Sequence, residues 1–214
     1  MSIIVYGNRE WALRIFAKLS TDDKCLITGR NYDIINKLHP DLVVFLGWSH
    51  IIPEDVVAKH KCICLHPSPL PRYRGGSPIQ HQIINGEETG AVTLFVMDKG
   101  VDTGPIVFQR EISLCGELCD IFDRIVDVGA QGLNEYIPVH ASVVPIVQNE
   151  SWATTFKRRK PSQSEITVDE ITTNDAVSIH NKVRSLQHPY PLPYILCNGG
   201  TKLYILRTSI ENEG

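Results

Sequence analysis

The chain has 214 residues, of which 43% are hydrophobic and 21% charged, as in a globular protein of one large domain or one domain with a small appendage. Its net charge of −3 excludes the overall basic surface that nucleic-acid binding rewards. No segment approaches the roughly 18 apolar residues of a membrane span, the N-terminus does not resemble a signal peptide, and six scattered cysteines indicate reduced thiols in the cytoplasm.

Strands and helices are predicted to alternate along the first third of the chain. The apolar run "SIIVYG" at 2–7 predicts a buried strand, and the spacing of Trp11, Ile15 and Leu19 predicts a helix over 9–20. The pattern repeats with strands at 24–29, 41–48 and 61–66 and helices at 32–39 and 53–60. Such alternation predicts an α/β fold with a Rossmann-like, mostly parallel sheet that carries helices on both faces.

The rest of the chain divides into two parts of different character. A helix at 77–87, strands at 90–98 and 104–112 and a long helix at 120–137 continue the α/β pattern. From about residue 145 the sequence is polar and irregular, until a helix at 174–187 and a β-hairpin at 193–208 over a Gly-Gly turn. We therefore expect a main domain over 1–145 and a small accessory subdomain over 146–214.

Ligands of open α/β sheets bind at the carboxyl ends of the strands. The first strand ends "YGNRE", with one glycine where a dinucleotide fingerprint needs three, so a nicotinamide or flavin cofactor is disfavoured. The sequence also contains no P-loop motif. The polar or aromatic residues expected at strand ends are Arg9, Trp48, Ser49, His50, His66 and Asp102.

His66 and Asp102 are expected to meet at one edge of the sheet, because they follow adjacent strands. A carboxylate beside an imidazole orients the ring and stabilises its protonated form, as in a general acid or base. Each residue alone has a simpler interpretation: a histidine after a strand is often a structural hydrogen bonder, and an Asp near glycines is often a turn-former. Their expected convergence beside the proline-rich loop 67–78 favours a functional role.

Cys62, Cys64 and His66 alternate along one predicted strand, so their side chains share a face. That spacing could suit a metal ion, but no second cluster of suitable ligands completes a tetrahedral site. We therefore interpret the cysteines as buried core residues and expect no metal.

At this point the motifs "HPSPLPRYRGGSPIQ" and "NGEETGAVTLFVMDKGVDTGPIVFQ" resemble the formyltransferase family that uses 10-formyltetrahydrofolate. The family includes enzymes acting on methionyl-tRNA, glycinamide ribonucleotide and amino sugars. The resemblance is strong over about residues 40–112, and "GWSHIIP" is most similar to the sugar branch. It implies the formyltransferase fold, a catalytic domain over 1–145, 10-formyltetrahydrofolate as co-substrate and no metal.

The family's catalytic set is an Asn-x-His at a strand end and the Asp of a D-x-G turn. The resemblance assigns His66 and Asp102 to it, whereas Cys64 stands where the asparagine is expected. The asparagine amide would donate to the oxyanion, and a thiol is a weak donor. Three outcomes stay open: another donor compensates, the enzyme is slow, or the protein is not a catalyst. Cys64 as a covalent formyl acceptor is disfavoured, because the family transfers the formyl group directly.

The resemblance also predicts two groups of binding residues. The folate group lies on two segments, the side chains after the third strand and the backbone of the "MDKGVD" turn: Trp48, Ser49, His50, Ile51, Met97, Asp98, Val101 and Asp102. The acceptor group comprises Arg9, Arg72, Tyr73, Arg74 and Gln80. For Arg72 and Arg74 the alternatives are a solvated pair or a pair that locks the loop, and for the basic run "FKRRK" (156–160) a solvated face is the default.

The expected acceptor is a nucleotide-linked amino deoxysugar of surface polysaccharide such as the O-antigen of lipopolysaccharide. A tRNA formyltransferase typically carries a further RNA-binding domain and a basic surface, whereas here the chain stops soon after the hairpin. Alternatives are transfer to another small amine, hydrolysis of formyltetrahydrofolate, or a silent folate- or nucleotide-sugar-binding protein. We expect no nucleic-acid or membrane partner, and the hairpin edge can pair across a homodimer.

Overall fold

The computed structural model describes residues 1–211, and residues 212–214, the end of the predicted accessory subdomain, lie outside them. The strands are β1 (Ile3–Tyr6), β2 (Lys24–Ile27), β3 (Leu42–Leu46), β4 (Cys62–His66), β5 (Arg74–Gly75), β6 (Thr89–Val96), β7 (Ile106–Ser113), β8 (Thr155–Phe156), β9 (Tyr194–Leu196) and β10 (Lys202–Tyr204). The α-helices are α1 (Glu10–Ala17), α2 (Asp33–Leu38), α3 (Glu54–Lys59), α4 (Pro78–Ile84), α5 (Leu118–Tyr136), α6 (Val168–Thr173) and α7 (Ala176–Ser185).

A six-stranded sheet with the order β2-β1-β3-β4-β6-β7 forms the centre of the molecule. The first four strands in this order are parallel, and β6 and β7 are antiparallel to their neighbours. β1, β3 and β4 are almost wholly buried, which explains why their sequences are continuous apolar runs instead of alternating ones. The predicted α/β class and mostly parallel Rossmann-like sheet are confirmed.

Helices cover both faces of the sheet. One apolar cluster joins Ile3, Val44 and Leu65 of the sheet to α1, α4 and α5. The other face carries Ile4, Phe45 and Cys62, which pack with Ile35 of α2 and Val56 of α3. α5 begins at Leu118, two residues before its predicted start, because Glu117 and Asp120 form a capping box there. The sheet is thus fixed between two layers, and its strand ends have defined positions.

The chain after residue 145 contains the predicted helix and hairpin. α7 begins after Asp175, whose side chain accepts from Ser178 N, and it packs against α4. β9 and β10 pair antiparallel, and Gly199 and Gly200 between them both have positive φ, as the Gly-Gly turn predicted. Within residues 1–211, no helix is long and apolar enough to cross a membrane.

The segment predicted to be irregular carries structure that periodicity did not indicate. It contains α6 and the two-residue strand β8, which pairs in parallel with β5 of the proline-rich loop. Ile146 forms a further bridge to Ile106 at the start of β7. The start of the predicted accessory subdomain is therefore built against the loops that surround the strand ends.

Candidate active site

The predicted pair lies at the carboxyl edge of the central sheet. His66 is the last residue of β4, and its side chain is 7% exposed. Asp102 lies in the loop between β6 and β7 with a φ of 56°, an unusual conformation for a residue with a side chain. The two side chains meet with His66 Nδ1 3.5 Å from Asp102 Oδ2.

The other ring nitrogen of His66 fixes the orientation of the imidazole. Nε2 lies 2.8 Å from the carbonyl oxygen of Tyr73, and a carbonyl can only accept, so Nε2 carries a hydrogen. The 3.5 Å between Nδ1 and Asp102 is an ion-pair distance, longer than a hydrogen bond. Nδ1 is therefore available to a bound group, as an acceptor when the ring is neutral and as a donor when the ring is an imidazolium.

The carboxylate of Asp102 is held on one oxygen and free on the other. Oδ2 accepts from the backbone N–H of Gly75 at 2.8 Å, whereas Oδ1 has no partner within residues 1–211. Gly75 has a φ of 92°, and a Cβ there would come within 2.3 Å of the Phe156 carbonyl oxygen. The backbone donor to Asp102 therefore requires a glycine at position 75. Gly75 was not among the predicted site residues, although the Gly-Gly pair in the loop indicated a backbone position that only glycine can occupy.

A buried bridge holds the backbone of the Asp102 turn. Gln148 Nε2 donates to the carbonyls of Asp102 (3.0 Å) and Gly104 (2.7 Å), and its Oε1 accepts from Arg74 Nη2 at 2.7 Å. Arg74 in turn binds both carboxylate oxygens of Glu150, at 2.9 and 2.6 Å. Gln148 was missed by sequence reasoning because it lies in a segment without periodicity.

Cys64 is half-buried beside this pair, with its thiol packed against the apolar cluster on the α2–α3 face. Burial, together with the negative charge of Asp102, raises the pKa of the Cys64 thiol well above its usual value. The side chain is therefore a neutral thiol, and its sulfur makes only a weak contact, 3.7 Å from the Leu65 carbonyl. Within residues 1–211, no group of three or more potential ligands could hold a metal ion.

The predicted folate residues lie along two edges of the site, one after β3 and one after β6. After β3, Trp48 donates from Nε1 to the Tyr32 hydroxyl (2.9 Å) and contacts the His50 ring, Ser49 is half-buried, and Ile51 is 95% exposed. After β6, Met97 N donates to the Cys62 carbonyl and Val101 is 65% exposed. The Asp98 carboxylate accepts from Gly100 N and Thr103 Oγ1, so it stabilises its own turn.

The predicted acceptor residues divide into two groups. Arg72 pairs with Glu87, the Tyr73 hydroxyl donates to Glu87 at 2.8 Å, and Arg74 is buried on Gln148 and Glu150. For Arg72 and Arg74 these contacts favour the loop-locking alternative over contact with an acceptor.

The other two predicted acceptor residues each have an unpaired side-chain donor within residues 1–211. Arg9 lies over the end of β3, where a Cβ on Gly47 would come 3.2 Å from its Cγ, and it makes no ion pair within residues 1–211. Gln80 is 2% exposed, and its Nε2 has no hydrogen-bond partner there.

Comparison with known proteins identifies the family to which the chain belongs. The sequence model of the family described as formyl transferase matches residues 12–137, more than half of the chain. The chain belongs to the formyltransferase family. A methionyl-tRNA formyltransferase of Syntrophomonas wolfei is 33% identical over 189 residues, which are 84% of this chain and 57% of that protein. The chain thus spans a little more than half the length of the curated formyltransferases it matches.

Solved formyltransferase structures share the fold. A methionyl-tRNA formyltransferase from Clostridium thermocellum superposes with a TM-score of 0.86 at 31% identity and covers 100% of this chain and 95% of that one. A 4-N formyltransferase from Francisella tularensis has a TM-score of 0.79 at 18% identity, covering 99% and 98%. HypX from Aquifex aeolicus, in complex with tetrahydrofolic acid, has a TM-score of 0.78 at 18% identity, and the match covers 91% of this chain and 36% of that one. The last two show the fold alone.

Proposed function

We propose that this chain moves the formyl group of 10-formyltetrahydrofolate to the amine of a nucleotide-linked amino deoxysugar in the cytoplasm. The observation that carries the proposal is the His66–Asp102 pair at the carboxyl edge of the sheet of a formyltransferase. The O-antigen of lipopolysaccharide is the surface polysaccharide we propose as the destination of such a sugar.

The reaction exchanges one carbon–nitrogen bond for another. The lone pair of a neutral amine attacks the formyl carbon, and the C=O electrons move to oxygen to form a tetrahedral oxyanion. When the carbonyl re-forms, the bond from carbon to N10 breaks, and N10 leaves as an amine after it gains a proton. The protein must therefore accept one proton from the attacking nitrogen, stabilise the oxyanion and deliver one proton to N10.

Asp102 and His66 can divide these tasks. The free Oδ1 of Asp102 accepts a proton from the attacking nitrogen, because Oδ2 is already held by Gly75 N. In its imidazolium form His66 donates from Nδ1–H to the oxyanion, while its Nε2–H stays bound to the Tyr73 carbonyl. Water can carry the proton from the carboxyl group to N10, so the pair ends the cycle unchanged.

Folate is proposed to lie between the two edges described above. The exposed side chains of Ile51 and Val101 offer apolar surface for the flat pterin. The turn that Asp98 stabilises presents backbone N–H and C=O groups to the ring edge. The complex of HypX with tetrahydrofolic acid supports folate as the ligand of such a fold.

The choice of acceptor is supported by features outside the catalytic pair. "GWSHIIP" is most similar to the sugar branch, and the net charge of −3 disfavours a large RNA surface. The 4-N formyltransferase from Francisella tularensis matches this chain over nearly its whole length. The curated relatives act on methionyl-tRNA by name, so that acceptor belongs in every test. We also propose a homodimer that forms through the β9–β10 hairpin, because the residues of β10 are exposed and its edge is open to pairing.

Cys64 favours a second candidate function, a catalytically silent folate- or nucleotide-sugar-binding protein. A neutral thiol is a poor donor to an oxyanion, and removal of one oxyanion donor costs about 10²–10³ in rate in known enzymes. If His66 alone does not compensate, the chain binds folate with little transfer.

The test is a transfer assay with the whole chain, 10-formyltetrahydrofolate and a panel of acceptors that comprises amino-sugar nucleotides and methionyl-tRNA. We expect a formyl mass gain on one amino-sugar nucleotide and, in His66→Ala and Asp102→Ala, a loss of most turnover with tetrahydrofolate affinity retained. Tetrahydrofolate release without an acceptor would favour hydrolysis of formyltetrahydrofolate, binding without turnover would favour the silent protein, and full activity in either variant would refute the assignment.

A further inference from the structure

Three arginines have no side-chain partner among residues 1–211. Of the eleven arginines in the sequence, eight bind carboxylates or backbone carbonyls, namely Arg14, Arg72, Arg74, Arg110, Arg124, Arg159, Arg184 and Arg207. The side chains of Arg9, Arg30 and Arg158 have neither an ion pair nor a hydrogen bond within residues 1–211. A protein of net charge −3 has many carboxylates available, so three unpaired arginines are a distinctive feature.

The three arginines lie at the carboxyl edge of the sheet, where the candidate active site also lies. Arg9 follows β1 and lies over the end of β3, Arg30 follows β2, and the backbone of Arg158 packs on Gly76 of the proline-rich loop. Partial burial lowers the pKa of the His50 imidazole, and the positive charges of these same three arginines lower it further. They come from distant parts of the chain, and their backbones meet at one edge of the sheet.

A buried donor lies next to this cluster. Gln80 Nε2 is buried and has no hydrogen-bond partner within residues 1–211, although the amide lies close to the Tyr190 hydroxyl. Ring contacts place Tyr190 near Arg9: Tyr190 stacks on Phe122, Phe122 stacks on Trp11, and Trp11 lies with Arg9 over Gly47. A buried N–H without an acceptor is costly, and an oxygen atom of a ligand would satisfy it.

We infer that Arg9, Arg30 and Arg158, with Gln80, bind the phosphate groups of the acceptor substrate. The inference rests on the proposed function and names the part of the acceptor that is recognised. Guanidinium groups match phosphate oxygens in a bidentate geometry, and a cluster of unpaired arginines excludes a neutral or cationic ligand.

The position of the cluster suits a phosphate that is joined to the reacting amine through a sugar ring. β1 and β4 are separated by β3 alone, so the ends of β1 and β4 lie about 10 Å apart. An amine beside His66 at the end of β4 can thus belong to the same molecule as a phosphate beside Arg9 at the end of β1. An amino sugar carried on a nucleoside diphosphate meets this requirement.

Calorimetric titration tests the inference directly. The probes are dTDP, UDP and GDP, titrated into the full chain and into Arg9→Gln, Arg30→Gln and Arg158→Gln. We expect at least one nucleoside diphosphate to bind and each variant to weaken it about tenfold or more, because bonds to charged groups are the strong ones. Arg110→Gln is the control: it removes one exposed charge on β7, which pairs with Glu135, and should leave the affinity unchanged.

Titrations with other anionic ligands distinguish a nucleoside diphosphate from a polyglutamate tail or an RNA as the group that the arginines bind. Tetrahydrofolate and its triglutamate form are titrated into the same proteins, as is a short RNA with the 3′ end of tRNA. No nucleoside diphosphate binding, unchanged affinity in the variants, loss of triglutamate binding in the variants, or stronger binding of the RNA would each overturn the inference. Tetrahydrofolate binding without nucleoside diphosphate binding would leave the proposed formyl transfer standing, so the two failures are distinguishable.

Discussion

Cys64 illustrates how much one residue can change the chemistry open to a candidate active site. His66, Asp102 and Gly75 are in contact, and the thiol lies beside them on the same face of β4. Because its pKa is raised by burial and by Asp102, the thiol is not a nucleophile at neutral pH. Covalent transfer through Cys64 is therefore disfavoured by the structure as well as by the family resemblance.

The first prediction concerns the missing amide donor. Cys64→Asn should raise kcat for formyl transfer by about 10- to 100-fold, because an amide N–H is a far better donor to the oxyanion than a thiol. Cys64→Ala is the matched control and should change kcat by no more than a few-fold. Single-turnover assays with 10-formyltetrahydrofolate measure both. A loss of activity in both variants would show that the thiol has an adapted role of its own.

At the residue scale, sequence reasoning was strong where a rule of topology applied. The meeting of His66 and Asp102 follows from the position of strand ends in α/β sheets. The partners of Arg74 do not follow from any local pattern, because its burial depends on Gln148 and Glu150, more than seventy residues away. Long-range pairing of this kind has no signature in the hydrophobic period.

At the element scale, the proline-rich loop, β8 and the Gln148 segment behave as one unit. β5 pairs with β8, Tyr73 N donates to Thr154 Oγ1, and Gln148 joins Arg74 to the Asp102 turn. Sequence reasoning identified the loop as rigid from its prolines but interpreted 148–170 as irregular. Two-residue strands and side-chain bridges give no periodic signal, so this part of the site could not be predicted. The domain boundary near residue 145 stays a prediction.

The second prediction tests this unit through Gln148. Gln148→Leu keeps the side-chain volume but leaves the Asp102 and Gly104 carbonyls and part of the Arg74 guanidinium without hydrogen-bond partners. Each buried group that loses its partner costs about 1–3 kcal/mol of stability. We expect the free energy of unfolding to fall by about 3 kcal/mol in total. We also expect kcat to fall at least tenfold, because the carboxylate moves relative to His66, while tetrahydrofolate affinity changes little.

Two measurements separate positioning from a general loss of stability in this variant. Urea unfolding gives the stability, and kcat is measured at a temperature at which both proteins are fully folded. Val147→Ala, at a neighbouring side chain that is 84% exposed, is the control and should stay within about 0.5 kcal/mol of the parent. A Gln148→Leu protein with reduced stability but unchanged kcat would show that the bridge is structural only.

At the scale of the whole molecule, the site is assembled from segments that span most of the chain. The sheet brings the ends of β1, β3 and β4 together, and the chain after residue 145 adds Gln148 and Arg158. The sheet and its helices were predictable because the hydrophobic residues of each strand or helix follow a recognisable pattern in the sequence. The arginine cluster was not, because "FKRRK" has the composition of an ordinary solvated face. Local charge therefore departs from the net charge of −3 where the acceptor is proposed to bind.

The third prediction concerns the stability of the whole sheet at high pH. Cys62 is 1% exposed on β4, which lies between β3 and β6, and burial raises the pKa of its thiol from 9.0 to about 12. In the unfolded chain this thiol loses its proton near pH 9, whereas in the folded protein it keeps the proton until about pH 12. The unfolded state thus binds fewer protons in this window, so the free energy of unfolding falls as the pH rises from 9 to 12 and levels off above it.

The contribution of Cys62 to this fall is at most about 4 kcal/mol, because each pKa unit corresponds to about 1.4 kcal/mol. Urea midpoints at pH 8, 9, 10 and 11 measure it as a difference between proteins. Cys62→Ala should be less stable at pH 8, since it leaves a small cavity, but its stability should fall less steeply above pH 9. Cys119→Ala removes an exposed thiol and should keep the parent slope. Equal slopes in all three proteins would show that the thiol of β4 ionises without unfolding of the sheet.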